Sequence, residues 1–176
     1  MEVQFTNKQV EINDLPQIET LQLIGLHKDY LTAKLLGTIV FWLLVILIVG
    51  TGLFLRGEDI PFNIEIIGPV LLGIIVIFRI ATLFLGFKRK KYALREKDIL
   101  YQSGLFWRTN TVIPFNRIQH AEVSQGPIER LFNLSVLRIF TAGGSSSDIN
   151  IPGIQPQTAN DIKEYILGKT SLDEEE

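Results

Sequence analysis

Residues 35–55 read LLGTIVFWLLVILIVGTGLFL, 21 in succession without a charged side chain. At about 1.5 Å rise per residue, such a run spans the roughly 30 Å hydrocarbon core of a bilayer. A second apolar run, 66–87, follows the short polar turn RGEDIPFN, and the two predict a transmembrane helical hairpin over 35–87. Lys28 and Lys34 precede the hairpin and Lys88, Arg89, Lys90 and Lys91 follow it, against Arg56 in the turn. Cations concentrate on the cytoplasmic side of spanning helices, so both ends are expected to face the cytoplasm, in a multi-pass protein of the cell membrane.

Outward from the hairpin, residues 1–34 are expected to be a cytoplasmic segment. Ile18, Leu21 and Ile24 or Gly25 are at helical spacing, which suggests an interfacial helix over 16–34 leading into the first span. The opening MEVQFTNKQVEIND has no basic region ahead of an apolar run, so a cleaved signal peptide is not expected. Arg79 is the formal charge inside the second span. Its long side chain can snorkel to the headgroups, or it can meet a partner. Gly68 and Gly73 are five apart and do not form the close-packing glycine pattern of helix dimers, while Pro69 is a site for a kink.

After KRKK the chain turns to short β-type runs: 91–95, 99–106, 109–115, 118–125, 136–142 and 148–151. GPIERLFN between them suits a short helix, and GGSSS a hairpin turn. Over 155–167, Ala159, Ile162 and Ile166 mark one apolar face of a terminal helix, with Gly168 as its stop and an acidic disordered tail over 169–176. Strands followed by one helix with an apolar stripe predict a sandwich or open barrel over 88–168, closed by that helix.

The run IPFNRIQHAEVSQGPIERLFNLSVLRIFTAGG, within Tyr92 to Leu167, closely resembles the bacterial pleckstrin-homology-like family known as the membrane-flanked domain. The resemblance rests on Ile113, Pro114, Arg117, Ile118, Gln119, Glu122, Val123, Gln125, Gly126, Leu131, Phe132, Leu134 and the Thr141 to Gly144 turn. Small members of that family also place two helices ahead of the domain. The resemblance implies an α+β membrane protein whose pleckstrin-homology-like β-sandwich or barrel is capped by a C-terminal helix. It also implies work beside a larger membrane paralogue with copies of the same domain, and a link to envelope integrity or resistance to membrane-active agents.

Composition narrows the chemistry. The chain has no Cys, which removes disulfides, thiolate metal sites and a cysteine nucleophile. His27 and His120 have no motif around them, although His120 would share a strand face with Glu122. No GxSxG, HExxH or Walker loop is present, so neither an enzyme nor a cofactor is expected. From Lys88 to Leu167 there are 11 Lys and Arg against 7 Asp and Glu, an excess equal to the KRKK cluster itself. A balanced domain has no nucleic-acid footprint.

The candidate functional residues are therefore surface ones. Lys88, Arg89, Lys90 and Lys91 are placed to meet anionic lipid headgroups as well as to set topology. Arg117, Gln119, Glu122 and Gln125 are candidates for contact with a neighbouring domain or for hydrogen bonding within the fold. Phe106 and Trp107 are either hairpin-tip aromatics at the bilayer interface or core. Beyond the lipid bilayer and the larger paralogue, a homo-oligomer is a further possible partner.

Overall fold

The computed structural model describes residues 22–56, 62–142 and 148–173. Two long helices, α1 (Lys28–Arg56) and α2 (Phe62–Arg89), carry apolar residues around their circumference, and Leu43, Leu47, Ile48 and Ile77 are each more than half exposed. A helix apolar on every side has no polar face to give to water. Both are long and apolar enough to cross a membrane, and neither apolar window is buried within the protein. α2 runs unbroken across Pro69, although the proline removes one backbone donor from the helix.

The strands form two antiparallel sheets. β1 (Ile24–Gly25), β2 (Lys91–Leu94), β3 (Asp98–Ser103) and β4 (Thr109–Pro114) make the first, in that order. β5 (Ile118–Ser124), β6 (Ser135–Thr141) and β7 (Ile149–Ile154) make the second, also in chain order. A 3-10 turn, Phe115–Arg117, carries the chain from one sheet to the other, and a short helix α3 (Pro127–Leu131) joins β5 to β6. Asn133, at φ 49°, ends α3 in the left-handed conformation, and the Leu134 amide donates back to the Glu129 carbonyl at 2.8 Å.

Period-2 patterning sets the register. Tyr92 pairs with Tyr101 and Leu94 with Ile99, which pairs onward with Ile113; Val123 pairs with Leu137 and Leu137 with Ile151. These inward residues of both sheets form one core. Helix α4 (Pro156–Asp173) closes it with Ala159, Ile162 and Ile166, and Tyr165 meets Phe115 edge to face at 5.9 Å. Inside, Ser135 is fully buried and its hydroxyl donates to the Ile154 carbonyl at 2.9 Å.

Three sequence expectations differ from the structure. Where an interfacial helix was expected over 16–34, Ile24 and Gly25 form a strand on the edge of the first sheet, and helix begins only at Lys28; residues 16–21 lie outside the described ones. The apolar face of this segment, Leu26, Tyr30 and Ala33, is buried in the domain core. The domain therefore takes in residues on both sides of the hairpin instead of beginning at 88. At the other end α4 continues past Gly168 to Asp173, because an exposed glycine interrupts no packing and costs a helix only about 1 kcal/mol. The expected GGSSS turn joins β6 to β7 across 143–147 and lies outside the described residues.

Burial pushes the Tyr101 hydroxyl up to about 12, with the neighbouring Tyr30 adding to the effect. The folded state thus holds this proton where an unfolded chain, near 10, releases it. Its contribution is complete below about pH 10 and is lost as pH rises toward 12, on the order of 2–3 kcal/mol for a side chain this buried. The Tyr101→Phe variant is expected to flatten the alkaline limb of the stability curve between those values, measured by chemical denaturation at stepped pH. An unchanged limb would mean that Tyr101 ionises no differently in the two states.

Candidate functional site

The helices and the domain meet around Tyr30. Helical spacing lines Tyr30, Lys34, Gly37, Thr38 and Phe41 along one stripe of α1. Tyr30 is buried, lies 6.4 Å from Phe87 of α2 in a stacked arrangement, and presses against Gly153 of β7. A Cβ at Gly153 would fall 2.6 Å from the Tyr30 ring, and Gly153 is also at φ 67°, so glycine is required there twice over. The His27 amide donates to the Gly153 carbonyl at 2.9 Å, and His27 meets the Gln155 side chain at 3.3 Å.

Two cations flank this ring. Lys90 Nζ lies 5.4 Å and Lys34 Nζ 5.5 Å from the Tyr30 centroid, and Lys90 also donates to the Tyr30 hydroxyl at 3.3 Å. Burial, and then the charge of Lys34, hold the Lys90 ammonium below its ordinary range. The KRKK cluster is therefore divided: Lys88, Arg89 and Lys91 are exposed, while Lys90 turns inward. Lys88 and Arg89 close the last turn of α2, where cations oppose the negative end of the helix dipole.

Two clefts open at this junction. One, of about 370 Å³, is lined by Lys34, Gly37, Phe41 and Trp42 of α1, Arg79 of α2 and Ile128 and Glu129 of α3, among others. The other, of about 420 Å³, lies between α1 and α2 and is lined by Tyr30, Leu31, Lys34, Arg79, Phe87 and Lys90, with Thr82, Leu83 and Gly86. Arg79 is exposed and faces both. Sequence reading had set Lys34 and Arg79 apart by helix and Lys90 within a run of four; the fold brings all three to one place. Tyr30 and Gly153 were missed, and the i, i+4 spacing of Tyr30 and Lys34 was the signal available for the first.

The family-motif residues do not share one surface. Gln125 donates from Nε2 to the Leu134 carbonyl at 2.7 Å, a bond within the fold. Glu122 is exposed and meets Arg138 across β5 and β6 at 3.4 Å, and His120 stacks on Phe140 at 4.1 Å. Gln119 is exposed at a register shift in β5. Arg117 is exposed beside Thr141 and Asp148 at a shallow cleft. Two hydrogen bonds from Thr141 to the Asp148 carboxylate hold that acid below the usual range. Among the described residues no three His, Cys, Asp or Glu side chains gather as a metal-ligand set would require.

Phe106 and Trp107 are not core: they are 71% and 86% exposed. They occupy the β3–β4 turn, which Gly104 makes possible at φ 98°. Because Lys91 pairs with Gln102 and Ser103 with Thr109, this turn lies at the end of the sheet where α2 enters it. On α3, which packs beside α1, Leu131 is 78% exposed. Two separate apolar projections thus accompany the basic end of the helices.

A seven-stranded sandwich among the described residues, capped by a helix and continuous with two apolar helices, defines a membrane protein with a pleckstrin-homology-like domain. Residues 35–170 match the family described as Bacterial PH domain, and the chain belongs to that family. It is similar to two proteins of Bacillus subtilis (strain 168). One is the UPF0699 transmembrane protein YdbS, 34% identical over 76 residues, which are 43% of this chain and 46% of that protein. The other is the UPF0699 transmembrane protein YdbT, 29% identical over 120 residues, which are 64% of this chain and 24% of that protein. The chain thus spans less than half the length of either relative. No solved structure matches it significantly.

Proposed function

We propose that this protein is a non-enzymatic, membrane-anchored interaction module. Its two helices cross the cell membrane with both ends on the cytoplasmic side, and its domain packs against a larger membrane protein carrying the same domain. The observation that carries this reading is the shared core: Leu26, Tyr30 and Ala33 from α1 and its approach are buried with residues of both sheets, so anchor and domain move together. A module fixed in this way presents its sheet surface at a defined height above the bilayer. The match of 120 residues within only 24% of YdbT supports the existence of longer membrane proteins with a related region. By family resemblance the assembly would serve envelope integrity or resistance to membrane-active agents.

Affinity purification of the tagged full-length protein in mild detergent tests the proposal. A stoichiometric larger protein with the same domain is the expected companion, and Arg117, Gln119 and Glu122, exposed on one stretch of chain, are the first contact residues to substitute. Recovery of this protein alone, or only as a homo-oligomer, would overturn it.

Orientation has its own test. With the basic end at the cytoplasmic headgroups, Phe106 and Trp107 enter the interface, where aromatic side chains are favoured. In the Trp42→Phe variant, Trp107 is the remaining tryptophan. Its fluorescence is expected to be quenched by lipids brominated near the headgroup, and unquenched emission would remove this loop from the bilayer. A second reading, lipid binding, is favoured by the three cations that line the α1–α2 cleft.

A further inference from the structure

We infer that the cleft between α1 and α2 binds the phosphate headgroup of an anionic phospholipid, held by Lys34, Arg79 and Lys90, and that this site is distinct from the exposed cations of KRKK. The inference rests on the membrane-spanning part of the function proposed above, not on its partner.

Three cations from different places in the chain line one opening of about 420 Å³, a size usual for small-molecule sites. No carboxylate lines it; Glu129 belongs to the neighbouring cleft. Lys34 and Lys90 are held on the same Tyr30 ring, and each is within 5.5 Å of its centroid. Packing of Tyr30 against Gly153 and Phe87 fixes that ring, so the ammonium groups are positioned before any ligand arrives. Burial first, and then the charge of Lys34, hold the Lys90 ammonium below its ordinary range, which agrees with two cations gathered on one ring. A bound anion would relieve that repulsion.

The surroundings specify the rest of the ligand. Leu31, Leu83 and Phe87 also line the cleft, and Ile75, exposed one turn before Arg79 on the same face of α2, continues it away from the domain. Lys34 immediately precedes the 21-residue apolar run, and Arg79 lies eight residues before the end of the second. An arginine at that depth extends toward the headgroups. A free anion would need the cations alone; cations above an apolar groove in the membrane suit a headgroup with acyl chains. Carboxylate-free basic pockets between helices are a recognised way of holding anionic lipid.

The test compares two sets of neutralisations of equal charge in the full-length protein reconstituted into nanodiscs. Native mass spectrometry reads retained phosphatidylglycerol against phosphatidylcholine supplied at equal mole fraction. The unaltered protein is expected to retain phosphatidylglycerol about tenfold over phosphatidylcholine. Lys34→Gln with Arg79→Gln and Lys90→Gln should abolish that preference, whereas Lys88→Gln with Arg89→Gln and Lys91→Gln should leave most of it. Equal loss in both sets would reduce the effect to general surface charge and overturn the site. Equal retention of both lipids by the unaltered protein would overturn it without any variant, whatever the variants do to folding. Displacement of the lipid by millimolar inorganic phosphate would assign the site to free anion instead. The two nanodisc faces are equivalent and no partner is present, so failure here leaves the partner proposal standing.

Discussion

Gly153→Ala is expected to destabilise the junction by about 3 kcal/mol or more, one of the largest effects of any single substitution in the domain. The new methyl would fall 2.6 Å from Cβ and Cγ of Tyr30, both near the backbone and unable to swing aside. It would also force a side chain onto a left-handed φ of 67°, which alone costs about 1–2 kcal/mol. Relief requires β7 or the start of α1 to shift, and either movement stretches the His27 to Gly153 hydrogen bond. Thermal unfolding of the purified full-length protein should fall by roughly 10 °C or more. Gly25→Ala is the control, since a methyl there meets nothing within 4 Å. Equal midpoints for the two variants would mean that α1 does not bear on β7.

The second large effect belongs to Tyr30. Tyr30→Ala removes a buried aromatic from the core and is expected to cost about 3–5 kcal/mol, while Tyr30→Phe, which loses the Lys90 hydrogen bond and keeps the ring, should cost about 1 kcal/mol. Hydrogen exchange distinguishes a local from a general loss. In Tyr30→Ala, amides of β7 and of the first turns of α1 should exchange fastest, because this ring joins them. Uniform acceleration through β5 and β6 would instead make Tyr30 an ordinary core residue.

Much of this architecture was legible because each element satisfies its own pattern. The hairpin needed nothing beyond hydropathy, and the strands from Lys91 onward followed the alternation that Tyr92, Leu94, Ile99, Tyr101 and Ile113 maintain. Strand ends missed by one to three residues, since pairing stops where the partner strand stops. β1 was not legible: two residues cannot show an alternation, and their partner lies across the whole hairpin. Leu26, Tyr30 and Ala33 have the helical spacing expected of an interfacial segment, but spacing cannot say whether lipid or protein covers the stripe.

The candidate site divides in the same way. Four successive cations announce a charged collar and are silent on which one turns inward; only the Tyr30 ring and its hydroxyl select Lys90. Arg79 stood out because charge is costly within a span, yet its convergence with Lys34 depends on how α1 and α2 lie against each other. For Gln125 the sequence left partner contact and hydrogen bonding within the fold both open, and the Leu134 carbonyl just ahead of β6 accepts from its side chain.

Among the described residues, the placement of β1 before the hairpin and of the other six strands after it imposes an order on biosynthesis. At a ribosomal rate of about 5–20 residues per second, the first strand leaves the tunnel several seconds ahead of Lys91, with nothing yet to pair with. It can complete the sheet only if the helices have integrated so that their outer ends return to the same compartment. With the two outer helix ends apart, Leu26 and Tyr30 would be separated from the core residues they are buried with. The shared core thus couples completion of the first sheet to the return of both helix ends to one side.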